Sequence, residues 1–170
     1  MKTKKEIIES FPNLFVNCHL SPKQSCMAFG IECGDGWNDI IYSLCSFLHK
    51  PSWSTTVPLD TKDGIKMFNY KYPNIVFDQI KEKFGVLIIY YSVKIPELDD
   101  PTITDTQENA DKLNRIYSEI TSYVDGAIEF ASYLSSITCE ISGKPSSLRN
   151  VNGWYTTALE SEEKSSPNSK

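Results

Sequence analysis

Apolar residues along this chain follow two different periods, and the periods assign most of its elements. At Trp37, Ile40, Ile41, Leu44, Cys45 and Leu48 they recur every three or four positions, the spacing that gathers side chains on one side of an α-helix. The spacing predicts a helix from Trp37 to about Lys50, with Asp35 of Gly34-Asp35-Gly36 as its N-cap and Pro51 as its stop. The same period returns at Leu113, Ile116, Tyr117, Ile120, Val124, Ala127, Ala131 and Leu134, predicting a long helix over 107–137. A helix of that length spans about 45 Å. Its stripe exceeds what one small domain covers, which points to self-association. Gly126 offers a kink or a close approach for another backbone.

Between the two helices the period changes to two. Residues 75–83 (IVFDQIKEK) set Val76, Asp78, Ile80 and Glu82 opposite Phe77, Gln79, Lys81 and Lys83. Phe84-Gly85 supplies a bend, and 86–93 (VLIIYYSV) is dense in β-branched and aromatic residues. The pair reads as an antiparallel hairpin whose second strand is central, because both its faces are apolar. A short strand is expected over 27–33 (MAFGIEC), and a helix over 4–9 that Pro12 stops. Phe11, Leu14 and Phe15 then pack on the main body. Residues 52–66 carry no period and read as a surface loop, and 97–106 read as an acidic linker. Gly143 and Pro145 close the helical region, and Gly153-Trp154-Tyr155 opens a short terminal element. The fold class is α+β: a small antiparallel sheet packed by an amphipathic helix and one long helix. One domain is expected over 1–160, with a polar, frayed tail over 161–170.

Composition narrows the partners. The 170 residues are 40% hydrophobic and 23% charged, ordinary globular usage, with a formal net charge of -5. Of 17 basic residues only Arg115 and Arg149 are arginine, which disfavours generic nucleic-acid binding. No apolar run reaches the roughly 18 residues of a membrane helix, and the start MKTKKEII lacks a signal-peptide core. Five cysteines without a secretion signal read as reduced thiols in a cytoplasm.

Candidate chemistry is sparse. His19 beside Cys18 needs spatial adjacency to form a dyad, and His49 reads as a last-turn residue. Cys18, Cys26 and Cys33 have no paired C-x-x-C spacing, and Cys45 sits on the apolar stripe as a small hydrophobe. Asp35 and Asp39 are four apart, either an acid–base pair or acids at a helix start. Trp37, Trp53, Trp154 and Tyr155 are candidates to stack on a flat ligand, Trp37 better as a core anchor. Gln79, Lys81 and Lys83 share one strand face and would point together toward a phosphate. No nucleophile elbow, phosphate-cradling loop or zinc-protease helix is present, so no catalytic residue, metal or cofactor is assigned.

Three segments carry a resemblance. ECGDGWNDIIYSL (32–44), QIKEKFGVLIIYY (79–91) and CEISGKPSSLRNVNGWYTT (139–157) are similar, in that order, to a group of small, largely uncharacterised phage and prophage proteins. That group runs from an acidic G-W helix through a Q-x-K-x-K-F-G-x-L hairpin and a long helix to a tail like a zinc knuckle. The knuckle is C-x-x-C-G-K-P-G followed by G-W and a final cysteine. Here Cys139 keeps the first ligand position, Ser142 stands at the second, and no cysteine follows Trp154. One thiolate does not hold a structural zinc, so a metal-free tail is expected that keeps its Gly143-Lys144-Pro145 turn and Gly153-Trp154 packing. The resemblance implies a phage-type, non-enzymatic binding protein in a bacterial host cell. Its leading specific role is counter-defence by sequestering a nucleotide-derived immune signal, in a pocket of Gln79, Lys81, Lys83, Arg149, Trp154 and Tyr155. Two alternatives stand beside it: a protein inhibitor of a host defence protein, and a small metal-assisted hydrolase using Asp35 or Asp39.

Overall fold

Thr3 starts the first helix through a reciprocal cap. Its hydroxyl accepts from the Glu6 N–H at 3.2 Å, while the Glu6 carboxylate accepts from the Thr3 N–H at 2.8 Å. In the computed structural model, which describes residues 2–50, 53–95 and 100–163, this helix is α1 (Lys4–Ser10). Phe11, Leu14 and Phe15 beyond it are buried. The strand expected over 27–33 is cut short. Ser25 accepts from the Met27 N–H at 3.0 Å and opens a 3₁₀ turn, Cys26–Phe29, which Gly30 ends at φ 75°. Only β1 (Ile31–Glu32) stays extended. A hydroxyl cap and a left-handed glycine outweigh a weak alternation.

The helix at Trp37 forms, but Asp35 does not cap it. Asp35–Trp37 is a 3₁₀ turn leading into α2 (Asn38–His49), whose N-cap Trp37 makes no side-chain cap bond. Asp35 pairs instead with Lys4 Nζ at 3.4 Å. Trp37 is fully buried, a core anchor.

The segment read as a loop over 52–66 is a hairpin: β2 (Trp53–Thr61) pairs antiparallel with β3 (Gly64–Tyr72) from Trp53↔Tyr72 to Thr61↔Gly64. Ser52 and the Trp53 side chain lie outside the described residues. Polar Ser and Thr fill much of β2, so the strand carries little hydrophobic period, yet Thr is at home in sheets. Leu59, Phe68 and Tyr70 bury its inner face.

A second hairpin joins β4 (Ile75–Lys83) to β5 (Val86–Val93), and β1 adds parallel to β4. The order β1-β4-β5 makes β4 central and β5 an edge, the reverse of the expectation. The apolarity of β5 serves a helix instead of another strand. Leu87 N–H donates to Ser135 Oγ of α3 (Gln107–Ser136) at 2.9 Å, and Tyr91 Oη donates to Asp125 at 2.7 Å. The long helix thus covers the free edge. The alternation along β4 also shifts: a bulge between Phe77 and Gln79 lets Phe77 and Ile80 both reach the core.

α3 runs its 30 residues as one helix through Gly126, and no other backbone approaches there; nothing lies within 4 Å of where a Cβ would stand. After it come β6 (Arg149–Val151), β7 (Trp154–Thr156) and α4 (Glu160–Glu163). One continuous cluster of buried side chains runs from Ile7 to Ala131. The fold is α+β. Pro96 and residues 97–99 of the linker, and 164–170 of the tail, lie outside the described residues. Among the described residues no helix is long and apolar enough to cross a membrane.

Candidate binding cleft

The three segments that carry the resemblance meet in the structure. Gly36 N–H donates to the Glu140 carbonyl at 2.8 Å, Gly34 N–H to the Glu140 carboxylate at 2.7 Å, and Trp37 Nε1–H to the Thr138 carbonyl at 2.9 Å. A Cβ on Gly36 would overlap the backbone of Cys139, Glu140 and Gly143. The Gly-Asp-Gly-Trp motif is therefore a docking surface for the tail turn. A Cβ on Gly85 would overlap Leu148 and crowd Thr156, so the β4–β5 turn is seated equally closely on the β6–β7 hairpin.

The tail turn closes without thiolates. Gly143 N–H donates to the Cys139 carbonyl at 2.9 Å and Cys139 N–H to the Lys144 carbonyl at 2.8 Å, so the Gly143-Lys144-Pro145 turn is present. The Cys139 thiol donates to Glu162 of α4 at 3.2 Å, and Lys144 Nζ reaches the same carboxylate at 3.0 Å. Ser142, Cys139 and Lys144 together hold the Glu162 carboxyl down to about 2. A carboxylate draws the turn together.

Between these pieces lies a cleft of about 480 Å³, lined by Glu82, Lys83 and Phe84, by Glu140, and by Trp154 and Tyr155 with their neighbours. Phe84 and Gly85 both have positive φ, 57° and 76°, the conformation of a tight hairpin turn. Glycine takes it freely, whereas a bulky residue there is strained. The strain holds an aromatic ring 67% exposed at the cleft edge. Opposite, the Asn152-Gly153 turn, with φ 53° and 91°, carries Trp154, which is 80% exposed. The expected packing of Gly153-Trp154 is thus corrected: the indole is displayed, because a two-residue turn points it away from the core. Lys83 Nζ sits 5.1 Å from the Phe84 ring centroid. Glu82 accepts from Gly85 N–H at 2.6 Å. Burial pushes the Glu140 carboxyl up, and Glu82 adds to the rise against the Gly34 N–H.

Of the pocket residues expected from the sequence, the cleft gathers Lys83, Trp154 and Tyr155. Gln79 instead donates to Glu32 on β1 at 3.3 Å, and Lys81 lies over the Tyr90 ring at 5.5 Å. They continue the β4 row away from the cleft. Arg149 is tied to Glu160 at 3.3 Å and to the Ala158 carbonyl. Phe84, Glu82 and Glu140 were not singled out by sequence. The signal for Phe84 is its place before glycine in a two-residue turn, and Asn152-Gly153 is, like Asp63-Gly64, a short hairpin signal.

The other candidates stay apart. Asp35 and Asp39 are exposed, outside the cleft. His19 and Cys26 are exposed, whereas Cys33 is buried and its thiol pushed up to about 12 by burial. Burial also raises Cys18. Among the described residues no group of three or more His, Cys, Asp or Glu side chains is arranged to hold a metal ion. No family profile, no curated protein and no solved structure matches this chain.

Proposed function

We propose that this protein is a non-enzymatic binding protein and that the cleft between the β4–β5 turn and the β6–β7 hairpin is its site. The observation that carries the reading is the pair of displayed rings, Phe84 and Trp154, one held out by a strained backbone. Large exposed aromatics beside a cleft of ligand size are a binding signature. The polar groups define the ligand further. Two carboxylates accept from sugar hydroxyls or exocyclic amines, while a single ammonium, Lys83, meets a phosphate. That set suits a nucleotide-derived molecule with a flat ring and few phosphates, because a polyphosphate would face Glu82 and Glu140. Both carboxylates already hold a glycine N–H, so they anchor the turns and are poorly placed for acid–base chemistry.

The phage-like pattern makes counter-defence by sequestration of such a signal the specific reading. The test is mass spectrometry of small molecules released on denaturing protein purified from a signal-producing host, followed by titration of the emptied protein. An intact nucleotide-like molecule is expected. Trp154→Ala and Lys83→Ala should each weaken its binding by about 10-fold or more, the worth of one stacking or charged contact. Recovery of a cleaved product would make the protein an enzyme. Full affinity in both variants would remove the site. Retention of a host protein with no small molecule would favour the inhibitor reading, for which the same rings would be the anchors.

A further inference from the structure

Beside α2, α3 carries a second apolar seam. Tyr123, Gly126, Phe130, Tyr133 and Ile137 follow one another at spacings of three and four, the period of a helix-to-helix seam. The intramolecular face of α3 is a different one, built on Leu113, Ile116, Ile120, Val124 and Ala131, all buried. Along the second seam Phe130 is 62% exposed, Tyr133 58% and Ile137 41%, and Phe47 of α2 beside it is 52% exposed. Phe47 and Tyr123 stack at 5.2 Å, and Phe130 and Tyr133 at 6.4 Å. Between the rings a groove of about 460 Å³ has a floor of Gly126, Ala127 and Ala131.

We propose that this face is a homodimer interface, in which α3 of one protomer packs along the α2–α3 groove of the other. Two observations select a second copy. The face is self-complementary: it holds projecting rings and a floor of small residues side by side, as an isologous two-fold contact needs. Its area also fits. Aromatic side chains cover roughly 150–250 Å² each, so the exposed fractions of the four residues leave about 400 Å². Two such faces remove about 800 Å² of apolar surface. A standard interface of about 1,600 Å² is roughly three-fifths apolar, so the patches supply most of that share. The Phe130 ring of each protomer seats over the Gly126, Ala127 and Ala131 floor of the other.

Sedimentation velocity of the full chain over a concentration series tests this, with Phe130→Glu and Gly126→Leu beside the parent. The parent is expected at twice the protomer mass and both variants at the protomer mass, with unchanged circular dichroism. Phe130 is exposed, and a Cβ at position 126 would meet no atom within 4 Å inside one protomer, so both variants are expected to fold. A parent that stays monomeric at every concentration overturns the proposal and leaves the groove to a helix of another protein or an apolar ligand. A dimer that survives both substitutions overturns it too, by placing the interface elsewhere.

Discussion

Gly36 shows how much a single position decides here. It lies against the carbonyls of Cys139 and Glu140 and the Gly143 N–H, and backbone cannot retreat as a side-chain tip can. Gly36→Ala is expected to cost about 2–4 kcal/mol, read as a lower denaturation midpoint with unchanged slope. Phe84 is the opposite case. Its φ of 57° is uncommon for a bulky residue but tolerated by asparagine. Phe84→Asn should therefore raise stability by about 1 kcal/mol and at the same time weaken ligand binding. Thermal melting and titration of the same variant check the two halves; a variant that loses stability would show that the ring is packing after all.

Elements are joined by a few polar clamps. The β2–β3 hairpin is latched to the start of α3 by buried Asn109, which accepts from Asp60 N–H at 2.9 Å and donates to the Asp60 and Thr104 carbonyls at 2.9 Å. Asn109→Ala leaves the Asp60 N–H unpaired, while the Asp60 and Thr104 carbonyls keep donors from Thr104 and Thr106. It should cost about 2 kcal/mol, with hydrogen exchange rising first in the hairpin. At the other end α4 holds the tail turn through Glu162. Its carboxyl sits at about 2 against an ordinary 4.5, so the ionised form favours the folded tail. That contribution is complete above about 4.5 and is lost as pH falls toward 2. Exchange at the Cys139 and Gly143 amides should accelerate over that range, and Glu162→Gln should remove the dependence. Glu140 runs the other way. Burial raises it, so its contribution is present below 4.5 and fades as pH rises through its shifted value.

At the scale of the whole molecule the cleft and the α2–α3 groove are two distinct surfaces. The first is built from three distant segments, held by glycines that admit close backbone approach, and displays Phe84 and Trp154. The α2–α3 groove and its helix seam share no lining residue with that cleft. Because the two linings are distinct, a dimer through α3 is expected to bind two ligands per pair independently. Calorimetric stoichiometry of one per protomer, unchanged in Phe130→Glu, is the corresponding measurement.

The hydrophobic period by itself determined α2, α3, the β4–β5 hairpin and the α+β class, because burying one face of an element leaves a direct trace in the spacing of apolar residues. It also marked Trp37 and Cys45 as core. It was silent on β2, where Thr and Ser mask a strand, and misleading on β5, whose two apolar faces mean a neighbouring sheet or a neighbouring helix equally well. Pairing order, the bulge at Asp78 and the partners of Gln79, Lys81 and Arg149 were settled only when segments remote in sequence met. So was the cleft, since Lys83, Glu140 and Trp154 share no period. Local spacing records which face of an element is buried; which polar groups converge is a property of tertiary contact, and no local pattern encodes it.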